Sequence, residues 1–207
     1  MKLSTVQADA IQELGNIGAA HAATTLSQML GSPVEMSVPA IKAVDIAQLG
    51  DYMGEEAAAM VAFELQGEIE HGGYILFYIS RESAIRLTNT MLGLTEMDRP
   101  MNEMDESALI EVGNIMVSAF LDATAELLGF IMLPSPPALS IDMAHAAMQT
   151  LIAQMGEELD EVLLFSTELV CEEHKIDSDI IMLPENHTLQ KIVGLLENMM
   201  QGIPPAE

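Results

Sequence analysis

The sequence has no tryptophan, eight aromatic residues in all and a single cysteine, Cys171. Packing therefore falls to Met, Leu, Ile and Ala, and half of the 207 residues are apolar, enough for a sizeable core. One cysteine excludes an intrachain disulfide and a multi-cysteine metal cage, so Cys171 reads as a small buried apolar side chain. Apolar runs fall far short of the roughly 20 residues that a membrane helix needs, and no membrane insertion is expected. The first residues lack the charged and apolar regions of a secretory signal, which makes a cytoplasmic protein the expectation. Positive charge is scarce too: seven Lys and Arg face 32 Asp and Glu, a formal net charge of −25. Such a surface repels nucleic acid and anionic lipid. Two readings of the acidity remain, solubility in a salt-rich cytoplasm and steering toward a partner with a basic docking face. The acids are spread along the chain rather than gathered in a tail, which favours the first.

Several chemistries are also missing. No P-loop, Gly-x-Ser-x-Gly or dinucleotide fingerprint occurs. Cys171-Glu-Glu-His174 offers two metal ligands, but His21, His71, His145 and His187 fall in unrelated segments, so no metal site is expected.

What the sequence does contain is a repeat. Shifting it by 98 positions aligns Asp9–Ala40 with Ser107–Ala138 without a gap, and ten of the 32 positions are identical. Each copy is followed by two strand-like stretches and a helical one. "AAAMVAFELQG", "GYILFYIS" and "RESAIRLTNTMLG" come first; "EVLLFSTELVC", "SDIIMLP" and "NHTLQKIVGLLENMMQG" take the same places later. The order in each half is a long helix, a strand from the Pro region, a helical connection, two strands and a closing helix. This predicts an α+β fold, a duplicated pseudo-twofold unit with helices on one face of an antiparallel sheet. The halves are about 1–98 and 99–207, joined at the polar segment Thr95–Asp105, within a single domain. Gly67 and Gly72–Gly73 mark a hairpin between Glu64 and Tyr74.

The long helices carry the pattern that points to function. The first is predicted over Ser4–Leu30, ending at Gly31. Ala10, Leu14, Ile17, Gly18, His21 and Met29 fall on one side, which makes His21 a core histidine. Asp9, Glu13, Asn16, Ala20 and Ser27 fall on the other. In the second helix, Leu109, Val112, Ile115, Met116 and Phe120 oppose Ser107, Glu111, Asn114 and Ser118. Residues three or four apart share a helix face, so each Glu-x-x-Asn can touch one small target. Gly15 and Gly113 beside each Asn cost about 1 kcal/mol apiece against Ala. With Ala20, Ala23, Ser118 and Ala125 they predict a flat strip suited to close approach by another protein. Taken singly, Glu and Asn on a helix surface are ordinary solvated residues, and old duplication alone would also repeat them.

Asp9-x3-Glu13-x2-Asn16-x22-Pro39 and Ser107-x3-Glu111-x2-Asn114-x22-Pro137 resemble the signature of the CheC/CheX/FliY phosphatases of chemotaxis. CheC and FliY carry two such motifs and CheX one. FliY adds a flagellar-switch extension for which these 207 residues are expected to leave no room, so the resemblance is to the CheC branch. It implies hydrolysis of the aspartyl phosphate of the response regulator CheY. An acyl phosphate is already reactive, and such an enzyme chiefly positions water in line. The resemblance makes Asn16 and Asn114 the water-positioning residues, since a carboxamide both accepts and donates hydrogen bonds. Glu13 and Glu111 would pair with a partner Lys; glutamate as a class is too weak a base to be the better choice for proton abstraction near neutrality. Asp9 and Ser107 would serve the helix starts, and Pro39 and Pro137 the strand entries. The chain would need no cofactor of its own, Mg2+ being carried by phosphorylated CheY. Binding of the deamidase CheD is implied as well, with His187–Met200 as a candidate surface. A non-enzymatic adaptor for CheD or phosphorylated CheY is the alternative.

Overall fold

Reciprocal caps start both long helices. Ser4 Oγ accepts from the Gln7 N–H at 3.2 Å while Gln7 Oε1 accepts from the Ser4 N–H at 2.8 Å. Asn102 and Asp105 repeat the arrangement. Each pair satisfies amide donors that a helix start leaves open. Gly31 and Gly129 end the same helices in the left-handed conformation, at φ 66° and 62°. The caps lie one turn before Asp9 and Ser107, so those residues do not open the helices. Asp9 is exposed in the second turn, and Ser107 Oγ donates back to the Glu103 carbonyl at 2.8 Å.

The computed structural model describes residues 4–45, 48–49, 53–68, 72–153 and 161–201. Along these the chain forms α1 (Thr5–Leu30), β1 (Glu35–Met36), β2 (Ala40–Asp45), β3 (Ala57–Gly67), β4 (Gly73–Ser80) and α2 (Arg81–Leu92). It continues through α3 (Glu103–Leu128), β5 (Met132–Pro134), β6 (Ala138–Met143), α4 (Ala144–Ile152), β7 (Glu161–Cys171), β8 (Ile176–Pro184) and α5 (Asn186–Met200). The fold is α+β, as predicted. Helices α1 and α3 sit 98 residues apart at both ends, and so do β2 and β6. The second-half connection is α4; its first-half counterpart falls in 46–52, largely outside the described residues.

All strand pairs are antiparallel, in the order β2–β7–β8–β4–β3–β6, with β1 beside β7 and β5 beside β3. Exchanging the halves reverses this order onto itself, which places the pseudo-twofold axis between β4 and β8. The pairing is also interlocked. Strand β2 of the first half pairs with β7 of the second, and β6 of the second pairs with β3 of the first. Ala40 lies opposite Ser166 and Ala138 opposite Ala62, so even the register is repeated.

The larger core lies between the sheet and α1, α3, α2 and α5. Ile75, Phe77 and Ile79 of β4 enter it alternately, beside Leu14, Val112, Phe120 and Ile192. The other sheet face is covered too, beyond the one-face expectation. Leu76, Ile181 and Leu183 meet Met148 and Leu151 of α4 in a second, smaller core. By length and composition α3 could cross a membrane, unlike the short apolar runs expected, but half of that stretch is buried within the fold. Cys171 is a free, buried thiol.

The motif glycines point inward. A Cβ on Gly15 would lie 3.2 Å from Pro39 Cβ, and one on Gly113 only 2.9 Å from Val61 Cβ. They bring the helices down onto the strands and do not form the outer strip expected from the sequence. Gly113→Ala is expected to destabilise the fold by about 1–3 kcal/mol through overpacking, despite a propensity gain of about 1 kcal/mol. Val61→Ala in the same chain should recover part of that loss in chemical denaturation.

On the α4 side, Asp179 of β8 lies opposite Tyr78 and Glu168. Burial, then the charges of Glu168 and Asp177, push its carboxyl up to about 6. The folded state thus holds this proton more tightly than the unfolded chain. Its charged form lowers stability above pH 6, and that penalty fades as pH falls from about 6 toward 4. Asp179→Asn should stabilise the protein by about 1–2 kcal/mol at pH 7.5, with the gain shrinking at pH 5. An equal gain at both values in thermal melts would place the effect in packing.

Candidate functional site

Helix α1 buries Ile11, Leu14, Gly15, Gly18, Ala22 and Leu26, and this stripe fixes which residues face outward. Glu13 is exposed and Asn16 half-buried beside it. Asn16 Nδ2 donates to Glu13 Oε2 at 3.4 Å, a long bond that is easily exchanged. In α3 the buried stripe is Leu109, Val112, Gly113, Met116 and Phe120, leaving Glu111 exposed and Asn114 half-buried. Among the described residues no hydrogen bond joins Glu111 to Asn114, so the two pairs share a placement but not a contact.

Neighbouring residues explain how the pairs are held. Pro39 is buried under Gly15, and its carbonyl accepts from Gln12 Nε2 at 3.2 Å. Pro39 and Pro137 each precede a strand, β2 and β6, while Pro137 is only half-buried. A Cβ on Gly18 would meet the Phe120 ring at 2.7 Å, which locks the two long helices together. The repeat places Met116 and Ala22 at the equivalent positions, so a small pair on α1 faces a large pair on α3. His21 is exposed and not a core residue; Ala23, expected on the outer strip, is buried. The buried stripe centres on Leu14, Gly18 and Ala22, and His21 falls to one side of it.

A second fixture was not visible as a motif. Asp105, fully buried, takes two hydrogen bonds of 2.6 Å from Arg99, whose guanidinium also donates to Asn89 Oδ1 and Thr88 Oγ1. This clamp ties the start of α3 to the end of α2 within what read as a polar linker, and so positions Glu111 and Asn114. The signal was present as Arg99-x5-Asp105, but nothing in the sequence said that the carboxylate would be buried. His174 Nε2 lies 3.0 Å from Ser32 Oγ, and among the described residues no group of three or more His, Cys, Asp or Glu gathers around it and Cys171. Chemically, each Glu-x-x-Asn offers one solvated carboxylate and one amide able to accept and donate at once.

The CheC-like family model matches residues 6–42 and 104–141, the two stretches that hold these pairs. CheC1 of Halobacterium salinarum is 30% identical over 176 residues, covering 84% of this chain and 88% of that protein. The chain belongs to the CheC-like family. The CheY-P phosphatase CheC of Bacillus subtilis is 27% identical over 191 residues, covering 90% of this chain and 91% of its own. Among solved structures, Thermotoga maritima FliY shares the fold with a TM-score of 0.79 at 22% identity, across 96% of this chain and 99% of that one. For a CheC-like chain the clamp matters because it seats the second motif helix.

Hydrogen bonds from Arg99, then Thr88 and the Asn102 N–H, hold the Asp105 carboxyl well below the usual carboxylate range. Its contribution is therefore present above the unfolded value near 3.9 and is lost only as pH falls further toward the folded one. Arg99→Met should leave a buried carboxylate unpaired and cost about 3 kcal/mol at pH 7. The difference from wild type should narrow below pH 4. A loss independent of pH in urea titrations would assign the effect to packing instead.

Proposed function

We propose that this chain hydrolyses the aspartyl phosphate of CheY, using Glu13 with Asn16 and Glu111 with Asn114 as two separate sites. The observation that carries the reading is the placement of both Glu-x-x-Asn pairs, outward on the symmetric helices of a CheC-like chain. The activity named for the Bacillus subtilis relative supports it. Phosphorylated CheY brings the reactive acyl phosphate, its Mg2+ and a Lys. The Lys pairs with Glu13 or Glu111 and sets the docking register. Asn16 Nδ2, released from its long bond to Glu13, donates to a phosphoryl oxygen. Its Oδ1 accepts from a water placed in line with the P–O bond to the aspartyl carboxylate. Attack of that water forms the new P–O bond as the P–O bond to the aspartyl carboxylate breaks, giving free aspartate and inorganic phosphate that keeps the protons of the water. Positioning supplies most of the acceleration, because the aspartyl carboxylate is a good leaving group.

The adaptor reading, in which the chain binds CheD or phosphorylated CheY without hydrolysis, is separated by the same assay. With phosphorylated CheY, Asn16→Ala and Asn114→Ala should each lower phosphate release, with the two losses adding up to the whole rate. The double variant should fall by about 10²-fold while keeping its fold. Glu13→Gln with Glu111→Gln should raise KM more than it lowers kcat, and the difference should shrink as salt screens the ion pair. Full activity in the double Asn variant would exclude the assigned role. A kcat loss in the Glu variant as deep as in the Asn variant would place glutamate in the chemistry itself.

A further inference from the structure

Beside each Glu-x-x-Asn pair lies an apolar groove, and the two grooves are related by the same repeat. The first, of about 640 Å³, runs between the opening turns of α1 and the end of α5, with Val6, Ala10, Glu13, Leu196, Met199 and Met200 among its walls. The second, of about 480 Å³, runs between the opening turns of α3 and the end of α2, with Met91, Leu92, Met104, Ala108 and Glu111. Adding 98 to Val6, Ala10 and Glu13 gives Met104, Ala108 and Glu111. Helices α5 and α2, which close corresponding halves, supply the opposite walls. In both cases the closing helix of one half meets the long helix of the other.

The grooves keep large apolar side chains in water. Val6 is 54% exposed, Met104 63% and Met200 61%, with Met91 and Met199 each at 37%. Clustered exposed apolar residues mark binding surfaces more often than isolated ones do. Methionine is flexible and polarisable, and it suits a surface that must adapt to a partner. The rim is acidic, with Asp9 and Glu13 at the first groove and Glu103 and Glu111 at the second. Glu13 and Glu111 are therefore walls of the grooves and members of the candidate sites at once.

We propose that each groove takes an apolar segment of the phosphorylated response regulator itself, flanked by basic side chains and next to its phosphorylated aspartate. This rests on the phosphatase reading and adds the determinant that selects the partner. The occupant follows from continuity, since the Glu that pairs with the partner's Lys is also the groove wall. It follows as well from charge, because an acidic rim around an apolar floor fits a basic rim around an apolar projection. The repeat of both features at both sites ties them to the shared partner.

The test uses the full chain and phosphorylated CheY. Met199→Gln with Met200→Gln is made on the Asn114→Ala background, where only the first site works. Met91→Gln with Met104→Gln is made on Asn16→Ala, where only the second works. Each should raise KM about tenfold, equivalent to about 1.4 kcal/mol, with kcat within about twofold. Thermal stability should be unchanged, and Met→Leu at the same positions should restore KM. Placing either pair of Gln substitutions on the opposite background should leave KM as it was. An unchanged KM at the matched site, in a chain whose unsubstituted form is active, would overturn the groove while leaving the phosphatase reading intact. So would sedimentation showing that the grooves hold a second copy, with the Gln variants breaking a dimer and not altering KM. Absence of phosphate release by the unsubstituted chain would overturn the phosphatase reading and the groove with it.

Discussion

Each half of the chain lends its Pro-led strand to the other half. Strand β2 completes the hairpin of β7 and β8, and β6 completes that of β3 and β4, in matching register. Neither half can close its sheet alone, because the strand that would do so is paired elsewhere. This exchange fixes where α1 and α3 enter and leave, since each long helix leads, through a short strand, into the lent strand of its own half. The helices must then lie side by side over the centre of the sheet, and their outer faces become one continuous surface.

That geometry explains why glycine is tolerated twice in mid-helix. A helix that leads into a strand within ten residues must pass close to the sheet, and Gly15 on Pro39, just ahead of β2, and Gly113 on Val61 are points of close passage. Asn16 and Asn114 follow these contacts by one residue, about 100° further round the helix. The residue pressed against the packing and the side chain turned toward solvent are thus neighbours in sequence. A short amide gains its precision from the backbone beside it, since it has few rotatable bonds of its own to lose.

Much of this was legible because repeat, period and punctuation agreed. Strands β3, β4 and β7 match the stretches read from the sequence residue for residue, and Gly31 and Gly93 end their helices in the left-handed conformation. Glu13, Asn16, Glu111 and Asn114 face outward as the helical wheel requires. The failures have physical causes. The first helix opens at Ser4 as expected, but Asp9 and Ser107 do not serve the helix starts, because Ser4 and Asn102 each have a reciprocal partner three residues on. The inward turn of Gly15 and Gly113 depends on which atoms lie across from them, and a wheel drawn without neighbours carries no such information. The burial of Asp105 depends on Arg99 reaching it across a loop, and the second core on α4 folding behind the sheet. These are tertiary facts. The grooves at α5 and α2 are hidden for the same reason, each being made where a closing helix packs beside a long one, in the first case from the far end of the chain.

The charge inventory bears on the choice of asparagine. Among the described residues, Arg99 is held by Asp105, Arg86 pairs with Glu82, and Lys191 sits 3.6 Å over the Phe130 ring and near Glu68. No Lys or Arg lies on α1 or α3, so their outer faces are left with acids. On the proposed function, a phosphoryl group then approaches a surface that repels it, and its neutralisation falls to the partner's own Mg2+ and Lys. A carboxylate at position 16 or 114 would add to that repulsion where the group comes nearest. An amide of the same shape does not, and it can still orient water with one atom and meet a phosphoryl oxygen with another. Glutamate one turn earlier is tolerable because it meets the cation and not the phosphate. The order Glu-x-x-Asn therefore sorts the two interactions by sign, with charge where the partner is positive and a neutral dipole where it is negative.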